Sequence, residues 1–299
     1  MAKWNKKFTI IIFSLIIMVM LSGCKEQKIH VLIPTGSPQY AAAFMQNTGK
    51  YDFTVVAGAD ALTAGFNDIG YDIIFAPVNL GAKMYQAKPN YQLIGVVTWG
   101  NYYLISESPI DLTHVSQMDI TAFGENQIPD FMIKFILEQK NIEGHFTYLD
   151  SVASITSAYV LDSSKVYLIA EPSLSILQTQ KPLHYLNLQT IYQTITGETG
   201  FPQAGVFAKK GLSASAVNAF KSELIQSIFS LKQDETAHDV LTAVGITIPK
   251  AIYLNAVTRS HIDFLDSTNS KTALVTFFEQ IYAFNPNFIG NIPDDTFYR

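Results

Sequence analysis

Short runs of consecutive apolar residues, separated by segments of helical periodicity, are the feature that most constrains what this chain can fold into. Continuous hydrophobicity indicates strands buried on both faces, which is typical of a parallel sheet covered by helices. The first unit has predicted strands at residues 29–33, 52–56, 71–76 and 92–97, with helices at 39–45 and 60–66. The second has predicted strands at 118–123, 146–149 and 166–170, with helices at 129–140 and 152–161. This order predicts an α/β fold with two units in series.

The C-terminal third of the chain has a different pattern. From Ser213 onward the apolar residues recur at helical spacing, and no strand signal of comparable strength follows Val206 and Phe207. We therefore predict a helical C-terminal part, with helices near residues 216–231, 237–244, 251–259 and 271–283. The length of 299 residues fits one large domain or two modest ones.

The N-terminus has the pattern of an export signal. Three lysines precede an apolar run at residues 8–20, which ends in Leu-Ser-Gly-Cys at 21–24. This run is too short and wrongly flanked for a membrane-spanning helix, and it resembles a bacterial lipoprotein signal. That resemblance implies a signal peptide at 1–23, a lipid on Cys24, a polar tether at 24–28 and an extracytoplasmic location on the membrane. The alternative is an uncleaved anchor helix with an incidental cysteine.

Composition excludes several classes of protein. Cys24 is the only cysteine, so the chain can form no internal disulfide, Cys-ligated zinc site or catalytic thiol. The formal net charge is −5, and it becomes −8 when Lys3, Lys6 and Lys7 leave with the signal. An acidic chain without a basic tract is a poor partner for nucleic acid.

No sequence pattern indicates catalysis, a metal site or a cofactor. The chain lacks a G-x-S-x-G elbow, an H-E-x-x-H pair and a P-loop. The nearest thing to a cluster is His261 with Asp263 and Asp266, which we interpret as a solvated helix face because helical spacing points His261 and Asp263 to different sides. The other histidines stand alone in separate predicted elements: His30, His114, His145, His184 and His238. We predict a protein that is not an enzyme.

Three segments carry a resemblance to a known family. They are the strand-to-helix turn at 33–38 (IPTGSP), the strand at 72–77 (DIIFAP) with Asn79 beyond it, and the segment 205–210 (GVFAKK) before a long helix. Together with the order of elements, they resemble the type II substrate-binding proteins of ABC transporters, in the branch that handles nitrate, sulfonates, taurine and thiamine precursors.

The resemblance implies two lobes, joined by hinge crossings near residues 99–106 and 203–209. Lobe one would contain residues 29–104 and 208–299, and lobe two would contain residues 105–207. Each lobe would hold a mainly parallel sheet, and the C-terminal helices would pack on lobe one. Such a protein is expected to be a monomer that delivers a small molecule to an ABC permease.

Candidate ligand contacts in lobe one follow its strands, where open α/β sheets bind ligands. Gly36 permits close backbone approach, Ser37 can cap the helix that Pro38 starts, and the free N–H groups there attract polar ligands. The alternative for this turn is an ordinary helix cap without a ligand. Asn79 offers an amide or merely starts a helix. Trp99 could stack on a planar ligand or belong to the core. The lobe-one candidates are Thr35, Gly36, Ser37, Tyr40, Asn79, Trp99 and Asn101.

Candidate contacts in lobe two occupy the corresponding positions across the cleft. The turn at 124–126 follows the first strand of that lobe. Ser151 is either a ligand contact or only the cap of the next helix. Glu171 ends a strand and could accept a hydrogen bond from a ring amine, or it could be a solvated acid. The lobe-two candidates are Gly124, Glu125, Asn126, Ser151, Ser154 and Glu171, with Gln203 at the second crossing.

The ligand class is predicted from what the candidate loops contain. The chain has two arginines, Arg259 in a C-terminal helix and Arg299 at the end, so the cleft loops supply no guanidinium clamp for an anion. Aromatic residues near the proposed cleft favour a planar heterocycle such as a vitamin precursor. The alternatives are a small anion, nitrate or a sulfonate, and a surface sensory or adhesion module that keeps the fold without transport.

Overall fold

The computed structural model describes residues 28–299, so the predicted signal, Cys24 and most of the predicted tether lie outside the described residues. The described chain forms two lobes, each built on one sheet. Its strands are β1 (His30–Pro34), β2 (Asp52–Val56), β3 (Ile73–Pro77), β4 (Tyr91–Thr98), β5 (Tyr102–Ser106), β6 (Gln117–Phe123), β7 (Glu143–Leu149), β8 (Val166–Ala170), β9 (His184–Asn187), β10 (Ala204–Lys209) and β11 (Ile262–Asp266).

Both sheets are mainly parallel, as predicted. The sheet of lobe one has the order β11-β4-β10-β3-β1-β2. Strands β1 to β4 run in one direction, because β1 is parallel to β2 and β3, and β10 is antiparallel to both β3 and β4. The sheet of lobe two has the order β7-β6-β8-β5-β9, and only β5 runs against the others. The central residues of β1 and the first four residues of β3 are buried, which explains their continuous apolar sequences.

Helices cover both sheets. Two short 3₁₀ helices, Pro286–Phe288 and Asp295–Phe297, follow the last α-helix. None of the helices within residues 28–299 is long and apolar enough to cross a bilayer. The helices are α1 (Ser37–Ala41), α2 (Ala43–Thr48), α3 (Ala59–Asp68), α4 (Val78–Ala87), α5 (Ile128–Gln139), α6 (Val152–Leu161), α7 (Ser173–Gln178), α8 (Leu188–Thr196), α9 (Ala214–Gln233), α10 (Ala237–Ala243), α11 (Tyr253–Arg259) and α12 (Ser267–Phe284).

The described part of the chain crosses between the lobes twice. The first crossing is residues 99–101, between β4 and β5, and the second is residues 197–203, between α8 and β10. The predicted lobe boundaries at 104 and 207 fall inside β5 and β10. Strand β5 pairs only with strands of lobe two, and β10 pairs only with strands of lobe one, so each change of sheet comes a few residues earlier than predicted.

The prediction of a purely helical C-terminal part was wrong in one element. Strand β11 pairs with β4 at the edge of the lobe-one sheet. Its burial alternates, so only Ile262 and Phe264 are apolar and buried, which is too weak a signal to stand out in the sequence. Asp263 and Asp266 therefore lie on a strand, and the interpretation of a helix face around His261 is corrected.

An aromatic cluster packs the lobes together beside the crossings. Phe277 of α12 in lobe one lies with its ring centroid 5.7 Å from that of Phe131 and 6.3 Å from that of Tyr192, both in lobe two. It also stacks on Phe201 of the second crossing at 6.1 Å. The Tyr192 hydroxyl donates to Oε1 of Gln280, at 2.8 Å. One continuous hydrophobic core therefore extends through both lobes.

Candidate functional site

A cavity of about 460 Å³ lies between the lobes. Lobe one contributes the turn from β1 into α1 and the loop after α10, and lobe two contributes the ends of β6 and β8 and the starts of α6 and α7. Seven predicted contact residues line it: Thr35, Gly36, Ser37, Tyr40, Asn101, Glu171 and Gln203. This cavity is the carboxyl-edge cleft that an open α/β sheet offers to a ligand.

The turn into α1 forms one wall of the cleft. Gly36 has φ +95°, a conformation that residues with a Cβ rarely adopt, and it lets the chain turn directly from β1 into the helix. The prediction that Ser37 caps this helix was wrong, because Ser37 is its first helical residue and Gly36 occupies the cap position without a side chain. The buried Ser37 Oγ instead accepts a hydrogen bond from Nδ2 of Asn101, at 2.7 Å. This contact leaves the Ser37 hydroxyl proton available to a ligand.

A reciprocal amide pair joins the two crossings behind this wall. The Asn101 backbone N–H donates to Oε1 of Gln203 at 3.0 Å, and Nε2 of Gln203 donates to Oδ1 of Asn101 at 2.8 Å. Nδ2 of Asn101 also approaches the carbonyl oxygen of Glu171, at 3.5 Å. Both amides are therefore committed to protein partners. Their geometry suits positioning of Ser37 better than direct recognition of a ligand.

Within residues 28–299, Glu171 is the one acidic residue that lines the cleft, and its carboxyl group is fully buried. Oε2 accepts a hydrogen bond from the Ser175 backbone N–H at 3.1 Å, and Oε1 accepts one from the Ser175 hydroxyl at 2.9 Å. Burial raises the pKa of Glu171 to about 7, while the Ser175 hydrogen bonds and the charge of Arg259 lower it. The alternative of a solvated acid at a strand end is wrong, because the start of α7 encloses the side chain.

Aromatic side chains supply the apolar part of the cleft. Tyr40, Tyr102 and Phe123 line it, and the rings of Tyr102 and Phe123 meet edge to face at 6.0 Å. Burial, helped by the charge of Glu171, raises the pKa of Tyr40 well above its usual range. The Tyr40 phenol therefore stays protonated and can donate a hydrogen bond at physiological pH.

Two lobe-one candidates do not line this cleft. The Trp99 indole Nε1 donates to the carbonyl oxygen of Asp263 at 3.1 Å, and its ring lines a separate cavity of about 570 Å³ beside His261. Gly100, with φ +87°, turns the chain between Trp99 and Asn101, so their side chains serve different cavities. Asn79 lies in the first turn of α4, and its buried Oδ1 has no hydrogen-bond partner in the described structure.

The lobe-two turn candidates lie next to the cleft without lining it. Gly124, Glu125 and Asn126 directly follow Phe123, and the Asn126 backbone N–H donates to Oδ2 of the buried Asp130 at 2.9 Å. Asn126 has φ +58° in this turn. The turn therefore supports the start of α5.

Ser151 and Ser154 form the cap of α6. The Ser151 Oγ accepts a hydrogen bond from the Ser154 backbone N–H at 3.2 Å, and the Ser154 hydroxyl donates to Oδ1 of Asp150. The alternative that Ser151 serves as a helix cap is thus what the structure contains. The neighbouring Val152 lines the cleft instead.

Sequence reasoning missed two contributions to the site. The loop Gly245, Ile246 and Thr247 lines the cleft from the C-terminal part, and Nε2 of Gln39 donates to the carbonyl oxygen of Val244 at 3.4 Å. No sequence signal brings this loop to α1, since only long-range packing does so. The second contribution is Arg259, whose Nη1 lies 3.8 Å from Oε1 of Glu171.

The charge of the cleft distinguishes ligand classes. None of the described residues that line it is a lysine, an arginine or a histidine, and its one carboxyl group is buried. Residues 28–299 contain no group of three or more His, Cys, Asp or Glu side chains placed to hold a metal ion. The cleft thus offers neutral hydroxyl donors, backbone groups and aromatic rings.

Solved structures share this fold, although no protein-family model and no curated protein matches the chain. An ABC transporter structure from Parabacteroides distasonis is 21% identical, with a TM-score of 0.81, over 92% of this chain and 99% of that one. The periplasmic aliphatic sulphonate binding protein of Escherichia coli is 13% identical, with a TM-score of 0.70, over 90% and 91%. The alkanesulfonate-binding protein of Xanthomonas axonopodis pv. citri, bound to MOPS, is 16% identical, with a TM-score of 0.64, over 92% and 97%. The fold implied by the sequence resemblance is therefore confirmed.

Proposed function

We propose that this chain, which has the two-lobed fold of ABC-transporter binding proteins, is an extracytoplasmic solute-binding protein that delivers a small molecule to an ABC permease. The observation that carries the proposal is the cleft of about 460 Å³, which both lobes line and where the carboxyl ends of strands from both sheets meet. Lipid on Cys24 would hold the protein at the membrane, and a monomer suffices because one chain completes the cleft. Ligand binding alone, without catalysis, would perform this function.

The ligand we propose is neutral or weakly basic, planar and polar. Three features support this class: the aromatic rings of Tyr40, Tyr102 and Phe123, the free hydroxyl proton of Ser37, and the protonated phenol of Tyr40. A heterocycle such as a vitamin precursor has a flat ring for the aromatic walls and acceptor atoms for these donors. The volume of the cleft fits a molecule of that size.

A small anion is the competing ligand class, because both binding proteins compared above, from Escherichia coli and Xanthomonas axonopodis pv. citri, are named for sulfonates. A sulfonate or nitrate bound here would meet no cationic side chain among the residues that line the cleft. It would rely on the backbone N–H groups at the start of α1, a helix of five residues. The ionised form of Glu171, which lines the cleft, would also repel it. The charge of the cleft thus favours the neutral class.

The first experiment is mass spectrometry of small molecules that co-purify with the full chain. Thermal shifts against heterocyclic vitamins and their precursors, nitrate and sulfonates would follow. At about 100 times its Kd, a ligand stabilises the fold by roughly 2.7 kcal/mol, which raises Tm by several degrees. A planar heterocycle would support the proposal, and an anion would keep transport but overturn the ligand class. Binding of no compound in either assay would favour a sensory or adhesion module instead.

A pair of matched variants locates the site. Tyr40→Phe removes only the hydroxyl that we place in the cleft, and Tyr282→Phe makes the same change on an exposed helix face. Loss of one hydrogen bond should weaken binding about fivefold to tenfold in Tyr40→Phe, because such a bond contributes about 1 to 1.5 kcal/mol. Tyr282→Phe should bind like the unmodified chain. Equal affinities for the two variants would place the ligand elsewhere.

A further inference from the structure

Arg259 reaches from lobe one to lobe two. It is the last residue of α11, which packs against α7 of the other lobe. Its Nη1 donates to Oε1 of Gln178, the last residue of α7, and its Nη2 donates to the hydroxyl of Tyr185 in β9 at 3.4 Å. The guanidinium carbon also lies 4.9 Å from the centroid of the Tyr185 ring. One arginine side chain thus contacts two elements of the opposite lobe.

The same guanidinium faces the buried carboxyl group of Glu171, which lines the cleft. Nη1 of Arg259 lies 3.8 Å from Oε1 of Glu171, whose side chain has no exposed surface, whereas that of Arg259 is 24% exposed. Glu171 holds the first turn of α7 through Ser175, and Pro172 and Ser173 of this turn line the cleft. Arg259 is therefore linked to the lobe-two wall of the cleft through Glu171.

We propose that Arg259 is a positioning residue that fixes the lobe-two wall of the cleft against lobe one, by bridging Glu171 and α7 across the lobes. The proposal rests on the proposed function only in taking this cavity as the ligand site, since the bridge can be tested without a ligand. Arg259 itself does not line the cavity, so it acts through Glu171.

The charge of Arg259 gives the bridge a dependence on pH. The titratable groups that face Glu171 are Arg259 from α11, Tyr40 from α1 and Tyr103 from β5. Burial raises the pKa of both tyrosines, so they stay neutral and Arg259 is the charged neighbour. Glu171 is mostly ionised well above pH 7, where Arg259 offsets the cost of its burial. It is mostly neutral well below pH 7, where this offset is lost. Loss of Arg259 should loosen the lobes most at high pH.

The test is a distance measurement by pulsed electron paramagnetic resonance on the full chain in detergent, in a Cys24→Ser background. Spin labels would be placed at two exposed positions, Ile225→Cys in lobe one and Leu161→Cys in lobe two. We expect Arg259→Gln to increase the population of wider distances at both pH 5.5 and pH 8.5, because the contacts with Gln178 and Tyr185 are lost at either pH. The increase should be severalfold larger at pH 8.5, where the contact with ionised Glu171 is lost as well. For each unit by which the Arg259 charge lowers the pKa of Glu171, loss of that charge should change the population of wider distances about tenfold.

Three further variants separate the bridge from general loosening. Arg299→Gln removes the other arginine, which donates to backbone carbonyls of lobe one, and it should not alter the distances. Arg259→Lys keeps the charge and should show a narrower distance distribution at pH 8.5 than Arg259→Gln does. If Arg259→Gln does not fold, Arg259→Lys is compared with the unmodified chain instead, and its distribution should be wider at pH 8.5. Adding Glu171→Gln to Arg259→Gln should remove the pH dependence. A distribution unchanged by Arg259→Gln, or changed equally at both pH values, would overturn the proposal.

Discussion

Replacement of Glu171 by glutamine should change how the stability of this protein depends on pH. Burial raises the pKa of this carboxyl group from 4.5 to about 7 in the folded chain. The folded protein therefore binds the Glu171 proton more tightly than the unfolded chain does. By linkage, this group favours folding below pH 4.5, and its contribution is lost as pH rises through 7.

The size of the effect follows from the pKa difference. A difference of about 2.5 units at 1.36 kcal/mol each gives a loss of about 3 kcal/mol between pH 4.5 and 8. With roughly 2 °C of Tm for each kcal/mol in a chain of this size, the difference in Tm between the unmodified chain and Glu171→Gln should change by about 6 °C over that range.

The assay is urea unfolding of both proteins at several pH values, with their difference plotted against pH. Taking the difference cancels the other titrating groups. Glu279→Gln is the control, because this residue is exposed on α12 and its substitution should leave the curve unchanged. Parallel curves for Glu171→Gln and the unmodified chain would refute the reasoning, since they would mean that Glu171 titrates normally in the folded state.

Four other substitutions have clear expected outcomes. Gly100→Ala should lower the free energy of unfolding in urea by at least about 2 kcal/mol, because φ is +87° and the new Cβ would lie 2.5 Å from the Phe201 ring. Its control, Gly197→Ala, has φ +76° but open space around the new Cβ, so it should lower this free energy by only about 1 kcal/mol. Phe277→Ala should cost about 3 to 5 kcal/mol by the same assay, because it empties the centre of the interlobe aromatic cluster; a smaller cost would mean that the lobes do not depend on this contact. Trp99→Phe should leave ligand affinity in thermal-shift titrations within about twofold, because Trp99 lines the other cavity. The substitution removes one hydrogen bond, which contributes about 1 kcal/mol to stability. A large loss of affinity would return Trp99 to the ligand site.

Elements buried by their own lobe were predictable from the sequence. Strands β1, β3, β4 and β8 bury most of their residues, so their apolar runs are continuous and mark their positions. The turn at residues 35–37 was found for a similar reason, because a glycine after a buried strand and a proline inside the next helix are local signals. Edge strand β11 has no such signal, and it was missed.

The ligand cleft was only partly predictable, because residues far apart in sequence build it. Gly36, Ser37 and Glu171 follow strand ends, where sequence order alone indicates a sheet edge. The turn at Gly100 determines that Asn101, and not Trp99, lines the cleft. The sequence alone could not show which of these two residues would do so. The loop at 245–247 reaches the cleft only through the packing of the C-terminal helices.

The sequence by itself determined the α/β class, the order of the two units, the single cysteine at the end of the signal-like segment and the scarcity of arginine. These properties depend on local composition and periodicity. The tertiary structure decided that the Asn101 and Gln203 amides pair with each other, that Glu171 is buried, and that Arg259 crosses from α11 to stand beside it. A contact between residues 88 positions apart costs chain entropy that only the packing of both lobes can offset. For this reason no short segment of the sequence records it.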